Sequence, residues 1–281
     1  MPLPPAVRRA LRLDDAWWPR PALNAAGEHR HTVGARPVDA GSWLRPRPHD
    51  EALVEWKDRR LAELGPRAFR GGPDTVEAGR AVLDLLGRRP HDVKHPLDLA
   101  ARYVAEDLCL VDVTGPEPVL VAGSVVMPSG WLIGDKVGRP MLAVHEPVPQ
   151  YAEQIGTASD QLLRKLTADR IVARVNWTMQ AGDALFRPPG DPQPPVSGPA
   201  EAADVVHLRV EYQTLRRVTD AHVLFTIRTA LEPLTALADR PALLATTRDA
   251  LANLPPDQRV YKGMQTFAEP ALTWLCDAAL R

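Results

Sequence analysis

The sequence VHLRVEYQTLRRVTDAHVLFTIRT, residues 206–229, decides the fold of this chain. Its first part, residues 206–213, alternates apolar and polar side chains, and so does its last part, residues 222–229. A period of two is typical of strands that bury one face, and the short loop between the two parts predicts an antiparallel pair. A third stretch of the same kind, IVARVNWTM at residues 171–179, adds another strand to the predicted sheet.

The polar faces of these strands are rich in Arg, Asn, Glu and Gln, whereas a solvent-exposed face usually carries a mixture of Lys, Glu and Thr. Alternation places the following polar side chains there: Arg174, Asn176, His207, Arg209, Glu211, Gln213, His222, Thr226 and Arg228. This composition indicates a site rather than a plain surface.

Composition narrows the classes of protein that this chain can belong to. It has 281 residues and a formal net charge of −1, with an isoelectric point near 6.7, which excludes a globally basic nucleic-acid binder. Its two cysteines, Cys109 and Cys276, lack zinc-site spacing and are typical of a reduced compartment. No apolar stretch reaches the roughly 18 residues of a membrane span, and the N-terminus lacks the apolar core of a secretion signal. We therefore expect a soluble, cytoplasmic protein.

Two regions are expected along the chain. Residues 1–42 are rich in proline and predict an irregular N-terminal extension. Residues 43–281 predict a single domain that is large enough to bury a substantial core.

Helical patterns come first in this domain. The spacing of apolar residues predicts one helix over residues 50–64, and Asp74 with Glu77 predicts a capping box for a second helix that ends at Gly87. A third helix is predicted from residue 96 to residue 108.

The period changes to two at residue 119, so about five strands are predicted. The strands preceding the central three are VLVAGSVV (119–126) and MLAVH (141–145). The other expected segments are a helix at 150–166, an irregular Pro-rich loop at 187–200, and a helical tail at 241–254 and 264–280. This order predicts an α+β fold with a central antiparallel sheet between N- and C-terminal helices.

His145 is the most informative single candidate. It follows an apolar predicted strand and precedes a turn braced by Pro147 and Pro149, which would hold the imidazole rigidly. One interpretation is a buried histidine bonded to a turn carbonyl; the other is a ligand of metal or haem, or a base. The chain has no HExxH, GxSxG, Walker or GxGxxG motif in the required context, which disfavours the corresponding zinc, serine and nucleotide sites.

The charged candidates each allow two explanations. Glu211 lies beside Arg209 and Gln213 on one face, so it forms either a structural Arg–Glu pair or part of a site. Arg216 and Arg228 are either surface charges or the donors that hold a carboxylate or propionate.

Taken in order, several segments resemble the alpha-subunit family of haem-dependent oxidative N-demethylases. The signatures are PSGW, HxPVP, RxNW and RVExQTL, and the similarity runs from about Trp43 to Gly263. The segments that carry it are VAEDLCLV (104–111), MPSGWLIGDKVGRPMLAVHEPVPQY (127–151), ARVNWTM (173–179), HLRVEYQTLRRV (207–218), LFTIRTALEPL (224–234) and LPPDQRVYKG (254–263).

The resemblance implies a PAS-like antiparallel sheet that cups a b-type haem. It further implies oxidation of a small amine by O2, with electrons arriving from NADPH through separate flavin and iron–sulfur proteins. Two features depart from the family pattern. Tyr212 stands where family members often have arginine, in RVERQTL, and the Pro-rich segment 187–200 is an insertion. Kinship in fold does not fix the substrate, nor whether the product is demethylated or N-oxygenated.

The resemblance also suggests roles for particular residues. His145 is the expected axial ligand of the haem iron, with the Cys109 thiolate as the alternative. The side chains expected to meet the haem propionates are Lys136, Arg216 and Arg228. The side chains expected to line the distal pocket are Asn176, Glu211 and Gln213, with Glu211 binding a substrate ammonium and Asn176 donating to bound oxygen.

Two other functions are compatible with the same signatures. One is a non-catalytic haem-PAS sensor of gas or redox state, which would need an output module for which this chain has no room. The other is a haem-free homologue that serves as a partner subunit.

Overall fold

One seven-stranded antiparallel sheet organises the computed structural model, which describes residues 3–14, 30–89 and 94–280. The order across the sheet is β1-β5-β6-β7-β3-β4-β2. The strands are β1 (Arg36–Val38), β2 (Phe69–Arg70), β3 (Asp107–Asp112), β4 (Val119–Ser124), β5 (Ile171–Ala181), β6 (Val206–Arg217) and β7 (His222–Pro233).

The three predicted central strands pair as expected. β5 lies antiparallel to β6, with Asn176 opposite Glu211, and β6 lies antiparallel to β7, with Glu211 opposite Thr229. Paired residues point to the same side of a sheet. Arg174, Asn176, Glu211 and Gln213 therefore share one side of the sheet, called the site face below, and its opposite is called the helix face.

Helices flank this sheet in the chain, and in the described residues they are mostly short. They are α1 (Pro5–Ala10), α2 (Asp50–Leu64), α3 (Val76–Leu85), α4 (Pro96–Ala101), α5 (Met141–Val144), α6 (Thr157–Lys165), α7 (Pro199–Val205), α8 (Pro241–Ala252), α9 (Pro256–Tyr261) and α10 (Ala268–Ala278). Helices before and after the sheet confirm the predicted α+β class. None of the described helices is long and apolar enough to cross a membrane.

The helix face is covered from both ends of the chain. Residues of α1 to α4 pack with Leu108, Leu110 and Leu224 in one apolar cluster. Residues of α7, α8 and α10 pack with Val210 and Ala230 in another. Burial of these side chains supplies most of the hydrophobic stabilisation of the sheet.

A different part of the chain covers the site face. A third apolar cluster joins Val111 and Val172 of the sheet to Ile133 and Leu163, with Met141 and Val144 of α5 packed against it. The segment from residue 131 to residue 166 therefore lies over the site face and brings His145 to it.

Two predicted elements are wrong. The segment MLAVH is the short helix α5, not a strand, because Pro140 fixes the backbone at its start and Met, Leu and Ala are strong helix formers. The helix predicted over residues 96–108 ends at Ala101, and the apolar run that follows is the buried strand β3. A continuous apolar run fits a buried strand and a helix equally well, so periodicity alone misassigned it.

Smaller differences between prediction and structure occur at the ends of helices and in the shortest elements. The helix after Asp74 has no side-chain cap, but it does end before Gly87, whose φ of +64° suits a helix C-terminus. The predicted irregular extension contains α1 and β1. The two shortest strands and α9 have too few residues to show a period.

Candidate active site

A cleft lies between the site face and the segment that covers it. The space within it, counted together with the open solvent at its mouth, is about 620 Å³. Its apolar wall includes Val111, Leu162, Leu163, Val172, Leu215 and Phe225. Its polar lining residues are His145, Tyr151, Ser159, Arg174 and Gln213. Mostly apolar walls with a few convergent polar groups are typical of small-molecule and cofactor sites.

His145 lies at the C-terminal end of α5 and contributes its imidazole to this cleft. Its Nδ1 donates to the carbonyl oxygen of Met141 at 2.8 Å, and its ring stacks on that of Tyr151 with centroids 4.3 Å apart. Burial lowers the pKa of His145 to about 4, so the ring is neutral at physiological pH. Because Nδ1 carries the proton, Nε2 has a free lone pair, and it makes no hydrogen bond to any described residue.

The turn after His145 is tightly held. Val148 N donates to His145 O at 2.8 Å, and Gln150 has the left-handed φ of +59°. His31 Nε2 donates to Pro149 O at 2.9 Å, and Gln258 Nε2 donates to the same oxygen at 3.2 Å. Elements distant in sequence therefore fix this turn next to His145.

Arg174 enters the cleft from β5 and was missed as a candidate, although alternation had placed it on the polar face. It makes no hydrogen bond or ion pair with the described residues, and its buried Nε has no partner. Burial lowers the pKa of Arg174, while Tyr151 and Glu211 act in the opposite direction.

Glu211 is the centre of a hydrogen-bonded network on the site face. Gln213 Nε2 donates to its carboxylate at 3.0 Å, Asn176 Nδ2 at 3.3 Å and Arg209 Nε at 3.4 Å. Arg209 is fully buried and also donates to the backbone oxygens of Met127 and Leu185. The structure thus brings Asn176, Glu211 and Gln213 together, and Gln213 connects their network to the cleft.

The three predicted propionate partners lie in different places. Lys136 is next to the His145 turn, where its Nζ donates to Val144 O at 2.6 Å. Arg216 lies on the helix face, over the Trp43 ring at 4.5 Å. Arg228 also lies on the helix face, bonded to Asp50 at 2.5 Å and to Ala10 O at 2.9 Å. The structure does not bring Arg216 or Arg228 to the cleft, and their role toward propionates stays a prediction from sequence.

Cys109, the alternative iron ligand, is buried in β3 rather than at a helix end. Burial raises the pKa of its thiol far above the usual range, so it is neutral. It packs in the apolar cluster around Ile133. In the described ranges no group of three or more His, Cys, Asp or Glu side chains is arranged to hold a metal ion.

The C-terminal segment contributes two further groups that sequence reasoning missed. Lys262 Nζ donates to the backbone oxygen of Trp177 at 2.6 Å and lies 5.6 Å from the centre of the Trp177 ring. Burial lowers the pKa of Lys262 to about 8; Glu211 raises it and Arg174 lowers it further. Partial burial and the Glu211 charge raise the pKa of Tyr261 to about 12. Both residues lie in LPPDQRVYKG, and that signature was the available signal.

A family model matches the part of the chain that carries most of this site. The model of the family described as haem-dependent oxidative N-demethylase, alpha subunit-like, matches residues 61–272. That range contains the segment over the site face, the central strands and the segment bearing Lys262. It covers most of the chain, and the resemblance inferred from the sequence is confirmed. The chain belongs to the haem-dependent oxidative N-demethylase alpha subunit-like family.

Proposed function

We propose that this protein is a haem-dependent oxidoreductase that uses O2 to oxidise a small amine or another nitrogenous substrate. The observation that carries the proposal is His145, a neutral imidazole with a free Nε2 in an apolar cleft. Histidines that bind metals commonly donate their other nitrogen to a backbone carbonyl, which fixes the tautomer and the ring orientation. The family description supports the same cofactor and reaction class.

The residues of the cleft fit a haem. His145 Nε2 would be the axial ligand, and the apolar walls would meet the porphyrin face. Lys136 is a cation next to the ligand's own turn and would meet the anionic edge. The chain has no CxxCH motif for covalent attachment, which supports a b-type haem. When bound, the haem supplies an iron that binds O2 and accepts single electrons.

The polar network on the site face would position the substrate. The Glu211 carboxylate is an anion held in place by three donors and can attract a substrate ammonium. Asn176 offers an amide donor to oxygen, and Gln213 connects Glu211 with the cleft. In the balanced reaction, an N-methyl amine, one O2, two electrons and two protons give the demethylated amine, one formaldehyde and one water.

The electrons in this reaction would come from another protein. The family is described as alpha subunit-like, which supports a partner subunit. We propose that this partner carries flavin or iron–sulfur centres. We further propose that residues 43–281 form one PAS-like haem domain, since an antiparallel sheet with one face covered by a separate segment suits that architecture. A cytoplasmic setting agrees with the two cysteines, which are unpaired.

Haem binding and amine oxidation by the wild type and by a variant of the axial ligand test this proposal. The wild-type protein, reconstituted with haemin, is expected to show a Soret band, to bind CO after reduction and to release formaldehyde from dimethylamine when given O2 and electrons. His145→Ala is expected to lose haem affinity or to change the spin state, with no formaldehyde formed.

His207→Ala and His222→Ala are matched controls for this test. His207 Nδ1 donates to Val205 O and His222 bonds to Thr219, and neither lines the cleft with His145. Both variants should keep the native spectrum. A wild-type protein that stays colourless with haemin would refute the proposal, whereas one that binds haem but oxidises no amine would point to a sensor.

A further inference from the structure

Arg174 differs from Arg209 and Arg228, the two fully buried arginines of the central strands, in having no ion pair within the part of the chain that the structure describes. Arg209 pairs with Glu211 at 3.4 Å, and Arg228 pairs with Asp50 at 2.5 Å. Arg174 is half-buried in β5 opposite Gln213 and lines the cleft together with His145, yet it has no ion pair among the described residues. Its Nε is shielded from solvent and has no acceptor among the described residues.

This situation is unfavourable unless something else is bound. A guanidinium stays protonated in proteins, and shielding its charge from water is unfavourable when no anion pairs with it. Glu211 is the one described carboxylate that acts on the pKa of Arg174, but its oxygens already accept from Asn176, Gln213 and Arg209. The described residues therefore leave Arg174 without a direct ion-pair partner.

The surroundings of Arg174 also favour an anion. Its charge lowers the pKa of His31 and of Lys262, so both of these groups lie within its positive field. Glu211 is the opposing charge, and the network already holds it. An anion entering the cleft would meet a preformed fork donor whose Nε is shielded from solvent.

We propose that Arg174 is the carboxylate-binding residue of this cleft. A planar guanidinium matches a carboxylate with two parallel hydrogen bonds, and desolvation strengthens that pairing. Two sources supply this chemistry: a propionate of the haem, or a carboxylate on the amine substrate, which would then be of the N-methyl amino acid type. The second source rests on the function proposed above.

The experiment compares Arg174→Gln with Arg187→Gln. Arg187 is the control because it is a buried arginine whose Nη1 has no hydrogen-bond partner among the described residues, but it pairs with Asp191 at 3.1 Å and does not line the cleft. Apoprotein of each variant is titrated with haemin and with haemin dimethyl ester, in which both propionates are blocked. Reconstituted protein is then titrated with N-methylglycine and with dimethylamine, which differ by one carboxylate.

A propionate contact predicts that Arg174→Gln weakens haemin binding by about tenfold or more and leaves ester binding unchanged. A substrate contact predicts unchanged haemin binding and a similar loss for N-methylglycine but not for dimethylamine. Arg187→Gln should alter neither affinity. Unchanged affinities for all probes in Arg174→Gln would overturn the proposal.

Thermal melting of the apoprotein separates this role from a structural one. Removing a charge that has no ion pair should leave the melting temperature of Arg174→Gln unchanged or higher than that of the wild type. A variant that does not fold, or that melts well below the wild type, would overturn the proposal. If the wild type binds no haemin, the proposed function fails, and N-methylglycine binding to the haem-free protein by calorimetry decides about Arg174 alone.

Discussion

At the scale of single residues, the hydrogen-bonded network around Glu211 leads to a specific prediction for this residue. Glu211→Gln keeps a side chain that accepts from Arg209 and removes the negative charge. If Glu211 binds a substrate ammonium, we expect the variant to keep haem and to weaken amine binding by about 1.5–3 kcal/mol, the range for a hydrogen bond to a charged group. Amine-induced Soret shifts measure that affinity.

Glu232→Gln is the control for this variant. Glu232 is also a buried carboxylate and pairs with an arginine, Arg240, at 3.0 Å. Its side chain, however, lies on the helix face of β7. It should lose stability without any change in amine affinity. If Glu211→Gln behaves in the same way, the Arg209–Glu211 pair is structural and the ammonium lies elsewhere.

The sequence predicts which residues of one strand share a face, but not how the faces of different strands combine in the site. Residues 209, 211 and 213 share a face by alternation alone, so the Glu211 network follows from spacing. Residue 216 has the opposite parity, which places Arg216 away from the cleft. Arg228 lies across the hairpin, so its side depends on the register, which the turn geometry sets. Arg174 was visible on the polar face, but its lack of a partner is a property of the folded chain.

At the level of elements, the C-terminal segment makes a pH-dependent contact with β5. The pKa of Lys262 is lowered to about 8 from 10.5 by burial, so between these values the unfolded chain binds more protons than the folded one. Stability should therefore rise with pH from about 8 to about 10. Above about pH 10 the raised pKa of Tyr261 has the opposite effect.

Urea unfolding at several pH values checks this expectation. Lys262→Met should remove most of the rise, because no ammonium is then buried beside Trp177. Lys165→Met, at an exposed position at the end of α6, should retain it. A wild-type stability that falls between pH 8 and pH 10 would contradict the assignment.

Elements long enough to show a period could be predicted, and short ones could not. The 15 residues of α2 and the central strands of 11 and 12 residues were predicted with their correct type. The 4 residues of α5 were not, although His145 depends on them for its orientation. Element type there is decided by Pro140 and by packing on the site face rather than by pattern.

At the scale of the whole molecule, residues 3–14, the first described part of the N-terminal extension, are tied into the core. Leu11 is 1% exposed, and its carbonyl accepts from Leu231 N of β7 at 2.8 Å. Ala10 O accepts from the buried Arg228. The extension thus helps to hold β7, whose other face borders the site.

We expect Leu11→Ala to lower the free energy of unfolding by about 2–5 kcal/mol, as for other large-to-small core changes. Arg9→Ala, at an exposed position of α1, should change it by less than about 0.5 kcal/mol. Denaturant titration of the two variants makes the comparison. Equal effects would mean that the extension is separable from the domain of residues 43–281.

Both outermost strands of the described sheet are very short, with 3 residues in β1 and 2 in β2. Beyond its pairing with β1, the border of β5 is occupied by side chains: Lys262 binds Trp177 O, and Gln193 Oε1 accepts from Ala181 N at 2.8 Å. A long open border would recruit strands from other copies and begin an aggregate. Lys262 and the Pro-rich loop that cover this edge of β5 should therefore also hinder the addition of strands from other copies of this chain.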